Sequence, residues 1–257
     1  MNNLDRAIKA KGGKPLIGAA VSSYNPGFLE IIAELGYDSL WIEMEHQFIT
    51  FAQAEDLCRI AAGCGLLTMI RIPDSRRENV LKAAECGPDI IDLPMANTVE
   101  AVEEFVRHAR YAPEGRRGFY GSSRAVRYST AADIADEQRR INQELCLMVQ
   151  IETIEAVERL NDLCAVPGIG AVMIGPGDLS ASLGVPGKTR DPAVVETIER
   201  IIDGAKSAGK RVAVATGPPD AGRYVKKGAD VIYCTGDFSA MRVGARSILD
   251  EVRRALS

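Results

Sequence analysis

Several features that define other protein classes are missing from this sequence of 257 residues. No apolar run approaches the roughly 18 residues of a membrane span, and the start, MNNLDRAIKAKGG, lacks the apolar core of a signal peptide. The charge balance is mild, with 31 basic and 35 acidic residues, so we expect neither nucleic acid nor a membrane as a partner. Six cysteines occur without a CxxC pair, which indicates reduced thiols in a cytoplasmic protein.

Short apolar segments recur along the whole chain and predict eight strands. Their ranges are 15–21, 39–45, 66–72, 89–95, 146–152, 170–175, 211–216 and 230–235. The segments between them predict helices, for example 76–86, 98–110, 153–164 and 192–208, and several of these end at a glycine. Eight near-continuous apolar strands, each followed by a helix, favour a single (β/α)₈ TIM barrel over residues 1–257. An open doubly wound sheet is the alternative, but the turn after the first strand lacks the GxGxxG sequence that such sheets often carry.

One stretch, residues 111–145, interrupts the alternation of strands and helices. It is rich in Arg and Ser and is too long for a routine connection between a helix and the next strand. Long connections in compact domains are usually functional or disordered, so this stretch is a candidate functional segment.

Polar side chains fall at the carboxyl ends of four of the eight predicted strands. They are Glu43, Glu45 and His46 on strand two, Arg71 on strand three, Gln150 and Glu152 on strand five, and Asp178 after strand six. The period-two alternation of strand two directs its glutamates inward and its neighbouring Ile42 and Met44 toward the helices. Because catalytic residues of TIM barrels come from the carboxyl ends of several strands, this convergence predicts an active site.

Each of these residues also has a simpler explanation. Glu152 and Asp178 form a natural site for a hard divalent cation, or they cap the helices that follow. Arg71 suits the binding of an oxyanion, or it makes a plain ion pair. Either glutamate of strand two, Glu43 or Glu45, is equally well explained as the partner of a nearby arginine.

The remaining polar residues and turns indicate a function less clearly. His46 lies at a strand end beside carboxylates, which favours a catalytic role over a structural one, whereas His108 lies near a helix end and is interpreted as solvated or capping. Asp92 faces inward by parity on strand four and has no assigned role. The turns at 216–220 and 235–237 follow strands seven and eight, where barrels often bind phosphate, although capped helix starts explain them as well.

Lysine is absent from the carboxyl ends of all predicted strands. This absence disfavours imine catalysis, which is one standard route to a carbanion beside a carbonyl group. If the protein performs carbonyl chemistry, a divalent metal ion must then supply the electron sink.

Six segments resemble, in their order and spacing, the HpcH/HpaI aldolase/citrate lyase family. They are WIEMEH (41–46), RIP (71–73), DLPMANTVEAVE (92–103), YAPEGRRG (111–118), VQIETIEAVE (149–158) and IGPGDLSASLG (174–184). The resemblance extends from about residue 3 to residue 254, and QIET followed by GPxDLS is its most specific pair.

This resemblance implies an activity and a cofactor. The family includes metal-dependent pyruvate aldolases, among them 4-hydroxy-2-oxoheptanedioate and 2-keto-3-deoxy sugar acid aldolases. The expected protein is therefore a lyase that reversibly cleaves a 4-hydroxy-2-oxo acid into pyruvate, or hydroxypyruvate, and an aldehyde. Its expected cofactor is Mg²⁺, Mn²⁺ or Co²⁺, since all-oxygen ligation selects none of them.

Roles for individual residues follow from the same resemblance. The family's positions match Glu152 and Asp178 as metal ligands, His46 in proton transfer, Arg71 on the enolate, and Gln150 and Gly177 in substrate binding. Glu43 and Glu85 stand where relatives often have Asp, and one of them is expected to orient the ring of His46.

Two further expectations concern the loop and the assembly. The segment GFYGSSRAVRY (118–128) departs from the family's usual pattern and is expected to touch the substrate. Similar proteins are hexamers whose last helix is exchanged between neighbours, and the helix predicted over 238–256 is compatible with that arrangement.

Two rival functions remain open at this point. A citramalyl- or malyl-CoA-type lyase needs a surface for the coenzyme phosphates, which Arg116, Arg117, Arg124 and Arg127 would provide. A non-catalytic metabolite-binding barrel is the other rival, but the presence of all the family's polar site residues disfavours it.

Overall fold

The computed structural model describes residues 1–130 and 133–257 and contains a closed barrel of eight parallel strands. The strands are β1 (Leu16–Val21), β2 (Ser39–Glu43), β3 (Leu67–Arg71), β4 (Ile90–Leu93), β5 (Cys146–Ile151), β6 (Ile169–Ile174), β7 (Arg211–Ala215) and β8 (Val231–Gly236). Each strand pairs with the next along the chain, and β8 pairs with β1. The predicted TIM barrel is therefore confirmed, and the open sheet is excluded.

Helices surround the barrel. They are α1 (Asn3–Ala10), α2 (Pro26–Glu34), α3 (Phe51–Gly63), α4 (Arg77–Glu85), α5 (Val99–Ala109), α6 (Ile134–Glu144), α7 (Ile154–Glu158), α8 (Leu160–Ala165), α9 (Pro176–Ser182), α10 (Pro192–Ser207), α11 (Pro218–Lys227) and α12 (Asp237–Leu256). Within the described part of the chain, none of these helices is long and apolar enough to cross a membrane.

Most element ends lie within one or two residues of their predicted positions, and three further differences stand out. Strand β4 stops at Leu93, because Pro94 follows and Met95 takes a left-handed conformation (φ 49°). The helix expected over 153–164 is divided into α7 and α8. The irregular stretch 111–145 contains α6, and its residues 131 and 132 lie outside the described part of the chain.

Local signals in the sequence fix several helix starts. Thr50 caps α3, and Gln53 completes a capping box by accepting the backbone N–H of Thr50. The side chains of Thr98 and Asp191 cap α5 and α10 by accepting a backbone N–H group from the first turn of each helix. Such caps satisfy backbone donors that the helix leaves unpaired, so the chain leaves each strand along a defined path.

Apolar side chains form two layers, as the alternation of the strands predicts. Leu147, Val149 and Ile151 of β5 face the helices, whereas Met148 faces the barrel interior. Helix α1 closes the amino-terminal end of the barrel with buried Leu4 and Ile8, which pack against Leu16. The opposite end, which we call the rim, is formed by the carboxyl ends of the strands and remains open.

Candidate active site

A buried arginine lies at the centre of the rim. Glu43, Arg71 and Asp92 are register partners on β2, β3 and β4, so their side chains share one level of the barrel. The guanidinium of Arg71 donates from Nε to Glu43 Oε2 at 2.6 Å and packs 4.8 Å from the centre of the Trp41 ring. Burial opposes this positive charge, but the surrounding carboxylates outweigh that cost and raise the pKa of Arg71.

Glu43 also fixes the backbone that carries the histidine. Its Oε1 accepts the N–H groups of Glu45 at 2.8 Å and His46 at 2.9 Å. The imidazole of His46 is 57% exposed, and its Nε2 lies 3.6 Å from Glu45 Oε2. Glu43 therefore positions the backbone of His46, while Glu45 is the carboxylate nearest to its ring.

Glu45 is held less firmly than Glu43. Its Oε2 lies 3.0 Å from Nη1 of Arg71, but the two groups are not aligned for a hydrogen bond. Burial raises the pKa of Glu45, and the negative charges of Glu43 and Asp178 add to that rise. The side chain is thus an incompletely compensated carboxylate between the arginine and the histidine.

Each carboxylate oxygen of Glu152, just after β5, accepts one hydrogen bond. Its Oε1 accepts the N–H of Met95 at 2.8 Å, and its Oε2 accepts from Nε2 of Gln150 at 2.5 Å. The strained left-handed backbone of Met95 is thus used to aim a donor at the carboxylate. Burial raises the pKa of Glu152 to about 7 in spite of these two hydrogen bonds.

Gly175 gives Glu152 the space it occupies. A Cβ atom on Gly175 would lie 2.5 Å from Glu152 Oε2, a distance that real side chains do not tolerate. Gly175 directly precedes α9, which carries Gly177 and Asp178 in its first turn. The Glu152 carboxylate therefore abuts the segment that presents Asp178, and Asp178 itself is exposed at the rim.

Asp92 is the most isolated carboxyl group at this level. It is fully buried, and neither oxygen has a hydrogen-bond partner among the described residues. Burial holds its pKa well above the usual range, and the nearby carboxylates of Glu43, Glu45 and Glu152 act in the same direction. Burial thus disfavours the ionised form of Asp92, whereas the nearby guanidinium of Arg71 acts in the opposite direction.

The structure places Glu85 away from the rim. Glu85 ends α4, at the amino-terminal end of the barrel, and its Oε1 accepts from Nη2 of Arg117 at 3.0 Å. A helix that returns from the rim must end where the next strand begins, which explains this position. The expectation that Glu85 orients His46 within one chain therefore lacks geometric support.

Part of the segment 118–128 and three of the four arginines considered for coenzyme A lie at that same end. Arg117, Arg124 and Arg127 line a cavity of about 530 Å³ together with residues that precede β4 and β5. Arg117 is buried, and Arg124 donates to the carbonyl groups of Cys86 and Gly87, at 2.8 Å each. These guanidinium groups are thus engaged in the fold and do not face the rim.

Comparison with known proteins identifies the family. A model of the HpcH/HpaI aldolase/citrate lyase family matches residues 17–242. The chain belongs to this family. It is 32% identical over 242 residues to hydroxypyruvate/pyruvate aldolase of Delftia acidovorans, covering 93% of this chain and 89% of that protein. It is 34% identical over 222 residues to 2-keto-3-deoxy-L-rhamnonate aldolase of Klebsiella pneumoniae, covering 86% and 82% respectively.

A solved structure agrees with these matches. The HpcH/HpaI aldolase from Desulfitobacterium hafniense superposes with a TM-score of 0.88 at 30% identity, covering 95% of each chain. The predicted family and the predicted class of enzyme, a carbon–carbon lyase of the aldolase type, are therefore confirmed.

The rim of this HpcH/HpaI family member suits a divalent cation. Six charged or titratable groups meet there: Glu43, Glu45, Asp92, Glu152, Asp178 and Arg71. Carboxylates outnumber the single guanidinium, and carboxylate oxygens are the ligands that hard cations prefer. Residues 1–130 and 133–257 contain no group of three or more His, Cys, Asp or Glu side chains placed to hold a metal ion by themselves.

Sequence reasoning missed three residues that shape the site. Trp41 supports the guanidinium of Arg71, Met95 donates its backbone N–H to Glu152, and Gly175 leaves room for that carboxylate. A signal existed for Gly175, because a glycine directly at the end of a barrel strand indicates a close approach of another group. The left-handed conformation of Met95 has no counterpart in the sequence.

Proposed function

We propose that residues 1–257 form one domain that acts as a divalent-metal-dependent aldolase. In this proposal the enzyme reversibly cleaves a 4-hydroxy-2-oxo acid into pyruvate, or hydroxypyruvate, and an aldehyde. The observation that carries it is the buried guanidinium of Arg71, held by Glu43 beside the carboxylates of Glu45 and Glu152. A preorganised cation at this place suits a reaction in which negative charge develops on an oxygen atom.

The proposed metal ligands are Glu152 and Asp178. The support is the excess of carboxylates at the rim and the close approach of the Glu152 carboxylate to Gly175, which directly precedes the helix that carries Asp178. A divalent cation bound there supplies positive charge that draws electron density from the carbonyl group of the oxo acid. Mg²⁺, Mn²⁺ and Co²⁺ all accept such oxygen ligands.

His46 is the proposed proton-transfer group. In the cleavage direction it accepts the proton of the C4 hydroxyl group, the C3–C4 bond breaks, and the aldehyde leaves. Glu45, whose Oε2 lies 3.6 Å from Nε2 of His46, stabilises the imidazolium that forms. Glu43 contributes by fixing the backbone of His46 through its N–H group.

Arg71 stabilises the other product of bond cleavage. The electron pair of the broken bond is delocalised from C3 onto the C2 oxygen, and the guanidinium meets the charge there. A proton then returns to C3 and gives pyruvate. The backbone N–H of Gly177 is the proposed donor to the substrate carboxylate, and Gln150 keeps the Glu152 carboxylate in place.

Proton exchange tests this proposal without knowledge of the aldehyde. The methyl protons of pyruvate in D₂O are followed by NMR with Mn²⁺ or Mg²⁺ and again with EDTA. We expect exchange that depends on the cation, and aldol products when a panel of aldehydes is added. Glu152→Gln and Asp178→Asn remove one charge each and are expected to abolish both reactions. No exchange and no product with Mg²⁺, Mn²⁺ or Co²⁺ would refute the proposal.

A homo-oligomer is a second proposal, supported by the C-terminal helix. Helix α12 buries only Asp237, and it exposes a set of apolar side chains: Phe238, Met241, Val243, Ile248, Leu249, Val252 and Leu256. Exposed apolar surface of this extent indicates a protein–protein contact, so we propose that α12 packs on a second copy, as in the exchanged-helix hexamers that the resemblance implies. Light scattering should give six times the 27.7 kDa chain mass, and Ile248→Asp with Val252→Asp should lower it; a monomeric wild-type protein would contradict this.

A cytoplasmic location is the third proposal. All six cysteines are unpaired in the structure, which is consistent with a reducing compartment. Cell fractionation checks it, and recovery of the protein outside the cytoplasm would contradict it.

A further inference from the structure

A second cavity lies beside the reacting centre on the rim. Its volume is about 480 Å³, within the range of small-molecule sites, and the start of α9 and the ends of β7 and β8 form much of its wall. Two of its lining residues belong to the site already described: Gly177 precedes Asp178, and Trp41 carries the Arg71 guanidinium on its ring. The cavity is therefore adjacent to the proposed reacting centre.

Four Thr and Ser residues from four segments of the chain line this cavity. Thr216, Thr235 and Ser239 are half-buried, and Thr189 lies at the exposed mouth. Among the described residues, the hydroxyl groups of Thr189, Thr216 and Ser239 make no hydrogen bond to protein, and that of Thr235 reaches only the Gly236 carbonyl at 3.5 Å. A ligand with several hydroxyl groups finds both donors and acceptors here.

The mouth of the cavity carries no net charge. Arg190 and Asp220 are the charged side chains among the described lining residues, and Nε of Arg190 donates to Oδ2 of Asp220 at 2.7 Å. An entering carboxylate would have to displace Asp220 from the guanidinium.

We propose that this cavity receives the aldehyde part of the substrate and selects uncharged, hydroxylated aldehydes over aldehydes that carry a carboxylate. The Arg190–Asp220 pair is the specificity device, because Asp220 neutralises the Arg190 guanidinium, which would otherwise bind an anionic substrate. This inference rests on the proposed aldolase function and adds the substrate class to it.

Steady-state kinetics with saturating pyruvate test the proposal. We expect kcat/KM of the wild-type enzyme to be higher for glyceraldehyde than for succinic semialdehyde. In Asp220→Asn, Arg190 is free to pair with the carboxylate, so the ratio of succinic semialdehyde to glyceraldehyde should rise about fivefold, equivalent to about 1 kcal/mol for an exposed pair. The double variant Arg190→Gln/Asp220→Asn removes the freed cation and should reverse that rise.

A matched control breaks an ion pair outside the cavity. Arg223 of α11 donates to Glu199 at 2.6 Å, and Glu199→Gln should leave the ratio of the two aldehydes unchanged. For the hydroxyl groups, Thr216→Val keeps the side-chain shape and should lower the ratio of glyceraldehyde to propanal about threefold, since one hydrogen bond to the substrate is lost.

The outcomes separate the two proposals. If the wild-type enzyme exchanges the methyl protons of pyruvate but prefers succinic semialdehyde, the inference about the cavity is wrong while the aldolase function stands. An unchanged aldehyde ratio in Asp220→Asn would likewise overturn the inference and leave the aldolase function intact. If no proton exchange occurs, the aldolase function fails, and the inference falls with it.

Discussion

The carboxylates at the two ends of the barrel differ in the donors and positive charges that surround them. At the amino-terminal end, Asp38, Asp89 and Asp230 stand directly before β2, β4 and β8, and each accepts a backbone N–H of the preceding strand at 2.8 Å. Each also binds a side-chain donor, namely Lys11, Asn3 and Lys206 respectively. At the rim, Glu43 and Glu45 share one guanidinium with the buried Asp92 close by.

This difference separates stability from function within one fold. The amino-terminal carboxylates join adjacent strands and have their own donors, although burial still raises the pKa of Asp89. The rim carboxylates exceed the positive charge available to them, which costs stability in the absence of a cation. In TIM barrels the rim carries catalysis and the opposite end carries stability, and the excess of negative charge at the rim expresses that division here.

Replacement of Arg71 should have the largest effect. Arg71→Ala removes the cation that meets the developing charge, so kcat should fall about 10²–10³-fold, equivalent to about 2.7–4 kcal/mol in the barrier. Cation binding at Glu152 and Asp178, measured by calorimetry, should persist. Arg71→Lys keeps a charge on Glu43 and should be the more stable variant in thermal unfolding. Full activity of Arg71→Ala would show that the rim does not depend on this guanidinium.

The pH dependence of the free energy of unfolding should show how much the ionised, buried Glu152 destabilises the fold. Burial raises the pKa of Glu152 to about 7 from an ordinary value of 4.5, so the folded state binds this proton more tightly than the unfolded state. The proton on Glu152 therefore adds fully to the free energy of unfolding below the unfolded pKa. This stabilisation, about 3 kcal/mol in total, is lost as pH rises through 7. Urea unfolding in EDTA at pH 5 and pH 7.5 measures this loss.

Glu152→Gln provides the reference for that experiment. It does not titrate, so its free energy of unfolding should fall less between the two pH values than that of the wild-type protein. Added Mg²⁺ should restore wild-type stability at pH 7.5, because a ligand that binds only the folded state stabilises it. If the free energy of unfolding of the two proteins depended equally on pH, ionisation of Glu152 would not destabilise the fold.

The sequence predicted the rim better than the connections around it. Glu43 and Arg71 lie together because parallel strands in register bring their carboxyl ends to one level, and period-two alternation then decides which side chains face inward. The same logic, applied to α4, would have placed Glu85 at the other end, because a residue just before a strand cannot lie at the rim. The environment of Asp92 depends on packing among distant segments, and no local pattern encodes it.

Removal of Asp230 should affect stability and leave catalysis intact. Asp230→Ala leaves the buried N–H of Val212 without an acceptor, frees Lys206 of its partner and removes one of the two carboxylates that Arg211 binds, so we expect a loss of about 2 kcal/mol in the free energy of unfolding. Asp230→Asn retains an acceptor and should lose less. The kcat of the folded Asp230→Ala protein should equal that of wild type; a large fall in kcat would break the division between the two ends.

The smallest expected effect concerns Gly175, where the rim can be perturbed without removing any charge. An alanine there brings a Cβ to 2.5 Å from Glu152 Oε2 and 2.8 Å from Gln150 Nε2, so both side chains must move and the carboxylate loses its fixed orientation. Ligand orientation of this kind is worth at least about tenfold in metal affinity, or about 1.4 kcal/mol. Gly177→Ala is the matched control for calorimetry with Mn²⁺, because no atom lies within 4 Å of its added Cβ. If both variants bind Mn²⁺ equally well, the space at Gly175 has no part in holding the cation, and the partners of Glu152 must be sought elsewhere.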